Sequence, residues 1–259
     1  MPYQFIKYEK REDHIGVITL NRPDRLNALS RPLWEELSDA VGQVERDNDV
    51  RVFLLTGASR ADGRPCFSAG ADLKARAESG GTPAWFASDV VNRIDEMLKP
   101  SVAVIDGICT TGAVELVMSC DLRLVAETAQ ISDWHLKNTG AGVGAWGAAT
   151  RLSRLVGLSK AKELILTGMV IDGREAWRIG FANRVYAPGK LWDGAMEVAR
   201  AIAGMRPEGV RVTLAHIDQN LDMSKHQALR WAQLVKTYIG VDTTMDEAAR
   251  SFVEKKKQG

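Results

Sequence analysis

The chain has 259 residues, of which 45% are hydrophobic and 26% charged, a globular composition too apolar for a disordered polypeptide. Thirty-four Lys and Arg against 33 Asp and Glu leave a formal charge of +1, which argues against a global attraction to nucleic acid or to an acidic membrane. No run reaches the roughly 18 to 20 apolar residues of a membrane helix. The N-terminus is charged where a signal peptide would be apolar, and Cys66, Cys109 and Cys120 show neither disulfide nor metal-ligand spacing, so a cytoplasmic protein is expected.

Phe5–Tyr8 and Ile15–Leu20 are rich in β-branched and aromatic residues on either side of a charged turn, which predicts a hairpin. Ser30 and Pro32 then supply an N-cap and an early helical proline for a helix through LWEELSDAVGQVERD. Val50–Thr56 reads as a buried strand ended by Gly57, and residues 58–66 as loop. Ala75–Pro83 resembles a flexible segment before a helix over Ala84–Leu98. Val102–Ile105 is a strand, Gly107–Gly112 a turn, AVELVMSC helical, and Leu122–Ala126 a further strand. The recurring strand, helix, strand order predicts an α/β fold with a parallel or mixed sheet covered by helices. From Val143 onward the pattern is helical apart from a short strand at Asn183–Tyr186, and no repeat of fixed period is present.

Two glycine-bearing turns each follow a predicted strand and precede a helix: Phe67-Ser68-Ala69-Gly70-Ala71-Asp72-Leu73-Lys74, and Gly107 through Gly112 to Glu115. Small residues admit a ligand close to the backbone, and free N–H groups at a helix start attract negative charge. If the turns face each other, they can hold one developing oxyanion from both sides. Taken alone, ordinary tight-turn chemistry explains each of them as well.

Asn21-Arg22-Pro23 with Leu26-Asn27-Ala28-Leu29, then FSAGADLK, then Gly112 and Glu115 before Cys120-Asp121-Leu122, then Thr150-Arg151-Leu152 to Gly157, resemble in order and spacing the crotonase (enoyl-CoA hydratase/isomerase) superfamily. The likeness runs on through Leu166-Thr167-Gly168, Glu175-Ala176 and Gly180 to Phe252-Val253-Glu254-Lys255-Lys256. It implies a ββα spiral core, here residues 1–200, and a C-terminal helical trimerisation region, 201–259. It also implies homotrimers that often pair into hexamers, and acyl-CoA thioesters as substrates, as in fatty acid metabolism. Ala71 and Gly112 fall at the positions of the two oxyanion amides. No cofactor and no metal is implied, since coenzyme A is part of the substrate.

Glu115 matches one of the two carboxylates of family hydratases, three residues after Gly112 and therefore on the same helical face. Its alternative is a first-turn glutamate that favours the helix dipole. The second carboxylate is missing: His135 stands in its place, in a stretch about two residues longer than the family pattern. Histidine titrates near neutrality and can act as acid or base, with Asp133 as competitor or orienting partner. A purely structural histidine is the bland alternative. For coenzyme A the resemblance suggests Arg25 near the phosphates and Ala69, Asp72 and Leu73 at the adenine. Phe252 and Lys255 would come from a neighbouring subunit, although Lys255–Lys257 also reads as a solvated tail. His14, His216 and His226 read as surface or packing residues, Cys109 and Cys120 as buried small hydrophobes, and Trp134 and Trp146 as packing or acyl-pocket rings.

The activity expected from the resemblance is hydration of a 2-enoyl-CoA to a 3-hydroxyacyl-CoA. Hydrolysis of a C–C bond or isomerisation of a cyclic or branched acyl-CoA is the alternative among enzymes. A catalytically silent CoA-binding protein is the alternative outside them.

Overall fold

A computed structural model describes residues 2–238, 246–250 and 252–254. The chain divides into two compact units, Met1–Gly204 and Met205–Gly259. Among the described residues no helix is long and apolar enough to cross a membrane.

The first unit opens with β1 (Ile6–Lys10) and β2 (Ile15–Leu20), which pair antiparallel as the sequence predicts. Helix α1 (Arg31–Arg46) follows; Ser30 occupies its N-cap, but the hydroxyl makes no capping hydrogen bond, unlike the role read from its residue type. Next come β3 (Val52–Gly57), β4 (Cys66–Ser68), α2 (Leu73–Ser79) and α3 (Ala84–Asp95). They are followed by β5 (Ser101–Ile105), β6 (Ile108–Thr110), α4 (Gly112–Met118), β7 (Leu122–Ala126) and β8 (Gln130–Ser132). Then come α5 (His135–Thr139), α6 (Ala148–Val156), α7 (Leu158–Thr167), α8 (Gly173–Arg178), β9 (Arg184–Tyr186) and α9 (Leu191–Ala203).

Two sheets result. The larger has the order β1-β2-β3-β5-β7-β9 and is parallel throughout except for β1. The smaller is parallel β4-β6-β8. Three times in succession the chain places one strand in the large sheet, the next in the small sheet, and then turns into a helix, which is the ββα spiral expected from the resemblance.

Alternation along the strands decides what covers each face. Val52, Leu54, Val102, Val104 and Leu124 pack against Ala195, Met196 and Ala199 of α9. Phe53, Leu55, Ala103, Ile105 and Val125 share the other core with Leu33, Trp34 and Leu37 of α1, with α3 and α4, and with Phe67 and Cys109 of the small sheet. Both faces are therefore buried, and this is why β3 and β5 read as continuous apolar runs.

The loop read over 58–66 ends in β4, the turn read over Gly107–Gly112 contains β6, and β8 was not foreseen. Half of the flexible segment at Ala75–Pro83 belongs to α2, and α3 stops at Asp95 rather than Leu98.

The second unit contains α10 (Pro207–Asn220) and α11 (Lys225–Tyr238). His216 stacks on Trp231 with ring centroids 4.9 Å apart and planes 9° from parallel, a packing role.

Candidate active site

The two glycine-bearing turns lie against each other at the end of the small sheet. Gly70 has φ +84°, and a Cβ there would stand 2.6 Å from the Thr110 carbonyl oxygen and 3.1 Å from the Gly112 nitrogen, so only glycine permits this approach. Thr110 Oγ1 adds a hydrogen bond of 3.1 Å to the Ala69 carbonyl. The loop before α1 fixes the first turn: Leu29 N–H donates to Gly70, and Asp72 N–H donates to Leu29. This pairing uses the amides on either side of Ala71. Among the described residues neither the Ala71 nor the Gly112 N–H donates to another backbone carbonyl. The second turn carries Thr111 at φ 55°, ψ −113°, a conformation costing on the order of 1–3 kcal/mol that the surroundings must impose.

Buried Asn27, itself at φ 51°, ties these parts together. Its side-chain amide reaches the carbonyls of Ala58, Cys66 and Phe67 at 2.8, 3.0 and 3.2 Å, and its oxygen accepts from Arg22 N–H. The Arg22 guanidinium bridges to Asp72 at 2.7 Å.

Glu115 projects from the first turn of α4 and is 1% exposed. Its Oε1 accepts the backbone N–H groups of Trp146 at 2.8 Å and Ala148 at 3.1 Å. The Gly144 bend makes this possible: at φ +73°, a Cβ there would stand 2.4 Å from Glu115 Oε1. Glu115 Oε2 lies 3.2 Å from His135 Nε2. On the other side of the ring, His135 Nδ1 is 2.9 Å from Asp133 Oδ1, which also accepts the His135 backbone N–H at 2.8 Å. The imidazole is thus held between two carboxylates. Burial alone would push its pKa down, but the hydrogen bonds to Asp133 and Glu115 and their negative charges outweigh burial and raise it to about 9. Both contacts favour the charged form of the ring at neutral pH. Among the described residues Asp133 Oδ2 and Ser132 Oγ are buried with no partner, which leaves acceptor capacity unspent beside it.

Glu115, His135 and Asp133 therefore come together, and the turns bearing Ala71 and Gly112 are neighbours. Ala69, Asp72 and Leu73 share the first turn. Burial opposes the charge on Asp72, but the Ala75 N–H and Arg22 outweigh it and lower its pKa, so the carboxylate caps α2. Arg25 is exposed and its Nε lies 3.6 Å from Asp24. Phe252 is exposed in the second unit, and Lys255 lies outside the described residues. Trp134 packs by donating Nε1–H to Gly168 O at 2.9 Å.

Sequence reasoning missed the Trp146 and Ala148 amides that clamp Glu115, because backbone donors carry no residue signature; the glycines at 144 and 147 were the available signal. It also missed Arg151, whose guanidinium reaches Trp146 O, Asn92 and Asp95 and so pins α6 and the turn before it to α3.

A cavity of about 60 Å³ adjoins Ala71 and is walled by Trp146.

The family model described as enoyl-CoA hydratase/isomerase matches residues 10–259. The chain is 32% identical to a short-chain-enoyl-CoA hydratase of Clostridium acetobutylicum, over 96% of this chain and 94% of that protein. It is 34% identical to a putative enoyl-CoA hydratase/isomerase of Bacillus subtilis, over 97% and 96%. The crystal structure of an enoyl-CoA hydratase from Bacillus anthracis superposes with a TM-score of 0.86 at 33% identity, covering 97% of each chain. With this fold, this coverage and the motifs in register, the chain belongs to the enoyl-CoA hydratase/isomerase family of the crotonase superfamily.

Proposed function

We propose that the protein hydrates a 2-enoyl-CoA to the 3-hydroxyacyl-CoA, with Glu115 and His135 as the catalytic pair and Ala71 and Gly112 as oxyanion donors. The observation that carries this reading is the imidazole lodged between Glu115 and Asp133, beside a carboxylate clamped by two amides.

In this mechanism the thioester carbonyl accepts the Ala71 and Gly112 N–H groups, which stabilise the oxygen as it gains charge; one such donor contributes roughly 3 kcal/mol to the transition state. Glu115 Oε2 takes a proton from water as its oxygen bonds to Cβ. The enolate is quenched at Cα by the proton from His135 Nε2. The proton then returns from Glu115 to His135 across the 3.2 Å that separates them, so one water is consumed and the charges are restored. Asp133 acts as the positioning residue for the ring. Each proton step uses a side chain of this protein, so the reading calls on no metal or redox group.

Hydrolysis of a C–C bond would need the histidine as a neutral base with a free lone pair. Both ring nitrogens face carboxylates here, which favours proton donation over water activation by His135. For the coenzyme, Arg25 and the backbone of Ala69–Leu73 remain our candidates, with Phe252 and Lys255 from another subunit. We expect a homotrimer or a hexamer, for which exposed Leu158, Leu166, Val170 and Trp177 on and between α7 and α8 offer apolar surface. Three buried free thiols suit the cytoplasm.

The test is incubation with crotonyl-CoA while following the ultraviolet absorbance of the conjugated enoyl thioester. Loss of absorbance with gain of water in product mass supports hydration. Conjugation of a 3-enoyl-CoA without hydration would make the protein an isomerase. Tight binding of thioesters with no turnover would make it a silent CoA-binding protein.

A further inference from the structure

The cavity beside Ala71 accepts only a small group. Its volume is about 60 Å³ where one water needs roughly 10–15 Å³, so the space suits a handful of non-hydrogen atoms. Trp146 forms one wall and is fixed: its ring edge closes on Gly112, and it meets buried Trp34 edge to face with centroids 4.9 Å apart and planes 73° apart. The rest of the lining is mixed: Leu29, Pro32 and Ala75 are apolar, but polar residues stand beside them. Ser30, Asp72, Arg76 and Thr82 all face the space.

The charges in this lining are not balanced. Asp72 is engaged by Arg22 and the Ala75 N–H, and Arg31 pairs with Glu35. Arg76 lines the cavity with no carboxylate partner among the described residues. The Thr82 hydroxyl is buried with no partner among the described residues. An apolar tail would leave the hydroxyl unsatisfied and gain nothing from the exposed Arg76 at the rim. A carboxylate would answer both, since guanidinium binds it in a two-pronged, charge-assisted pair.

We infer that this cavity receives the acyl tail and that Arg76 selects a short thioester whose far end carries a carboxylate. The inference rests on the acyl-CoA reading above and deepens it: Trp146 limits length, and Arg76 and Thr82 recognise the terminal group. Arg76 would be a specificity residue that touches substrate away from the reacting carbons.

Calorimetric titration with two unreactive saturated thioesters tests this without requiring turnover. Glutaryl-CoA carries the terminal carboxylate, and hexanoyl-CoA is a neutral tail of similar length. The unmodified protein should bind glutaryl-CoA on the order of tenfold tighter or more. Arg76→Met should erase that ratio, while Arg76→Lys should retain part of it. Equal affinities, a preference for hexanoyl-CoA, binding of neither, or a ratio unmoved by Arg76→Met would overturn the inference. Failure of crotonyl-CoA hydration, with the binding preference intact, would instead overturn the hydratase reading alone.

Discussion

The two sheets of the first unit differ in length, composition and task. Strands β3 and β5 of the large sheet are six and five residues long and bury Phe53, Leu54, Leu55 and Val102 to Ile105 between helices on both faces. Strands β4, β6 and β8 are three residues each, and each ends at a residue that begins the site: Ser68 before the Ala71 turn, Thr110 before Gly112, Ser132 before Asp133. The large sheet supplies the apolar burial that holds the unit together. The small sheet contributes little area and instead fixes where amides and carboxylates point. Damage to the first should appear as instability, and damage to the second as lost turnover.

The largest expected effect is at Glu115. Glu115→Gln keeps the volume but removes the base, and kcat for crotonyl-CoA should fall by about 10²- to 10⁴-fold with the affinity for coenzyme A esters nearly unchanged. Equal loss of both would contradict the role. As its counterpart in the large sheet, Phe53→Ala should cost about 3–5 kcal/mol in denaturant unfolding, with kcat per folded molecule preserved. A comparable fall in kcat would break the division between the sheets.

Gly144→Ala adds a methyl where Glu115 Oε1 now sits, so the carboxylate must move. A displacement near 1 Å costs about 10²-fold in rate, read as kcat at saturating substrate; the unfolding midpoint should fall as well, since alanine is strained at φ +73° and its methyl also meets Ala148. The smallest effect concerns Asp133. Asp133→Asn removes one of the charges that raise the His135 pKa. The alkaline limb of the pH–rate profile, expected near pH 9, should then move toward neutrality, lowering turnover at pH 8 more than at pH 6. Stability should follow the same sign. A histidine raised from 6.5 to about 9 contributes fully below pH 6.5, and the contribution is lost as pH rises through 9.

Legibility in the sequence followed the same division. VRVFLLT and the residues of β5 announce themselves because burial on both faces demands unbroken apolar runs. Cys66–Ser68, Ile108–Thr110 and Gln130–Ser132 are too short to show alternation and are bordered by glycine or polar residues, so two of them look like loop or turn and the third gives no strand signal. Their identity depends on partners about 20 to 40 residues away, which no local pattern encodes. The spiral escaped a search for repeats because the three large-sheet strands begin at Val52, Ser101 and Leu122, at unequal spacing.

The candidate site was legible where residue type carries the chemistry. Glu115, His135 and Asp133 could be singled out by their titratable groups and family register, and they do meet. Asn27 was visible as part of a motif, yet its task of tying β4 to the loop before α1 emerges only from its hydrogen bonds. The amides that clamp Glu115 and the unbalanced Arg76 depend on backbone direction and on which charges are already paired. Neither is a property of residue spacing.

The protonation state of His135 bears most directly on the catalytic account. Ring-nitrogen NMR of the protein labelled with ¹⁵N histidine, titrated from pH 5 to 10.5 and assigned with His135→Gln, reads it. The account predicts an imidazolium at pH 7 that loses its proton near pH 9. A neutral ring at pH 7, titrating at or below the ordinary value of about 6.5, would contradict it.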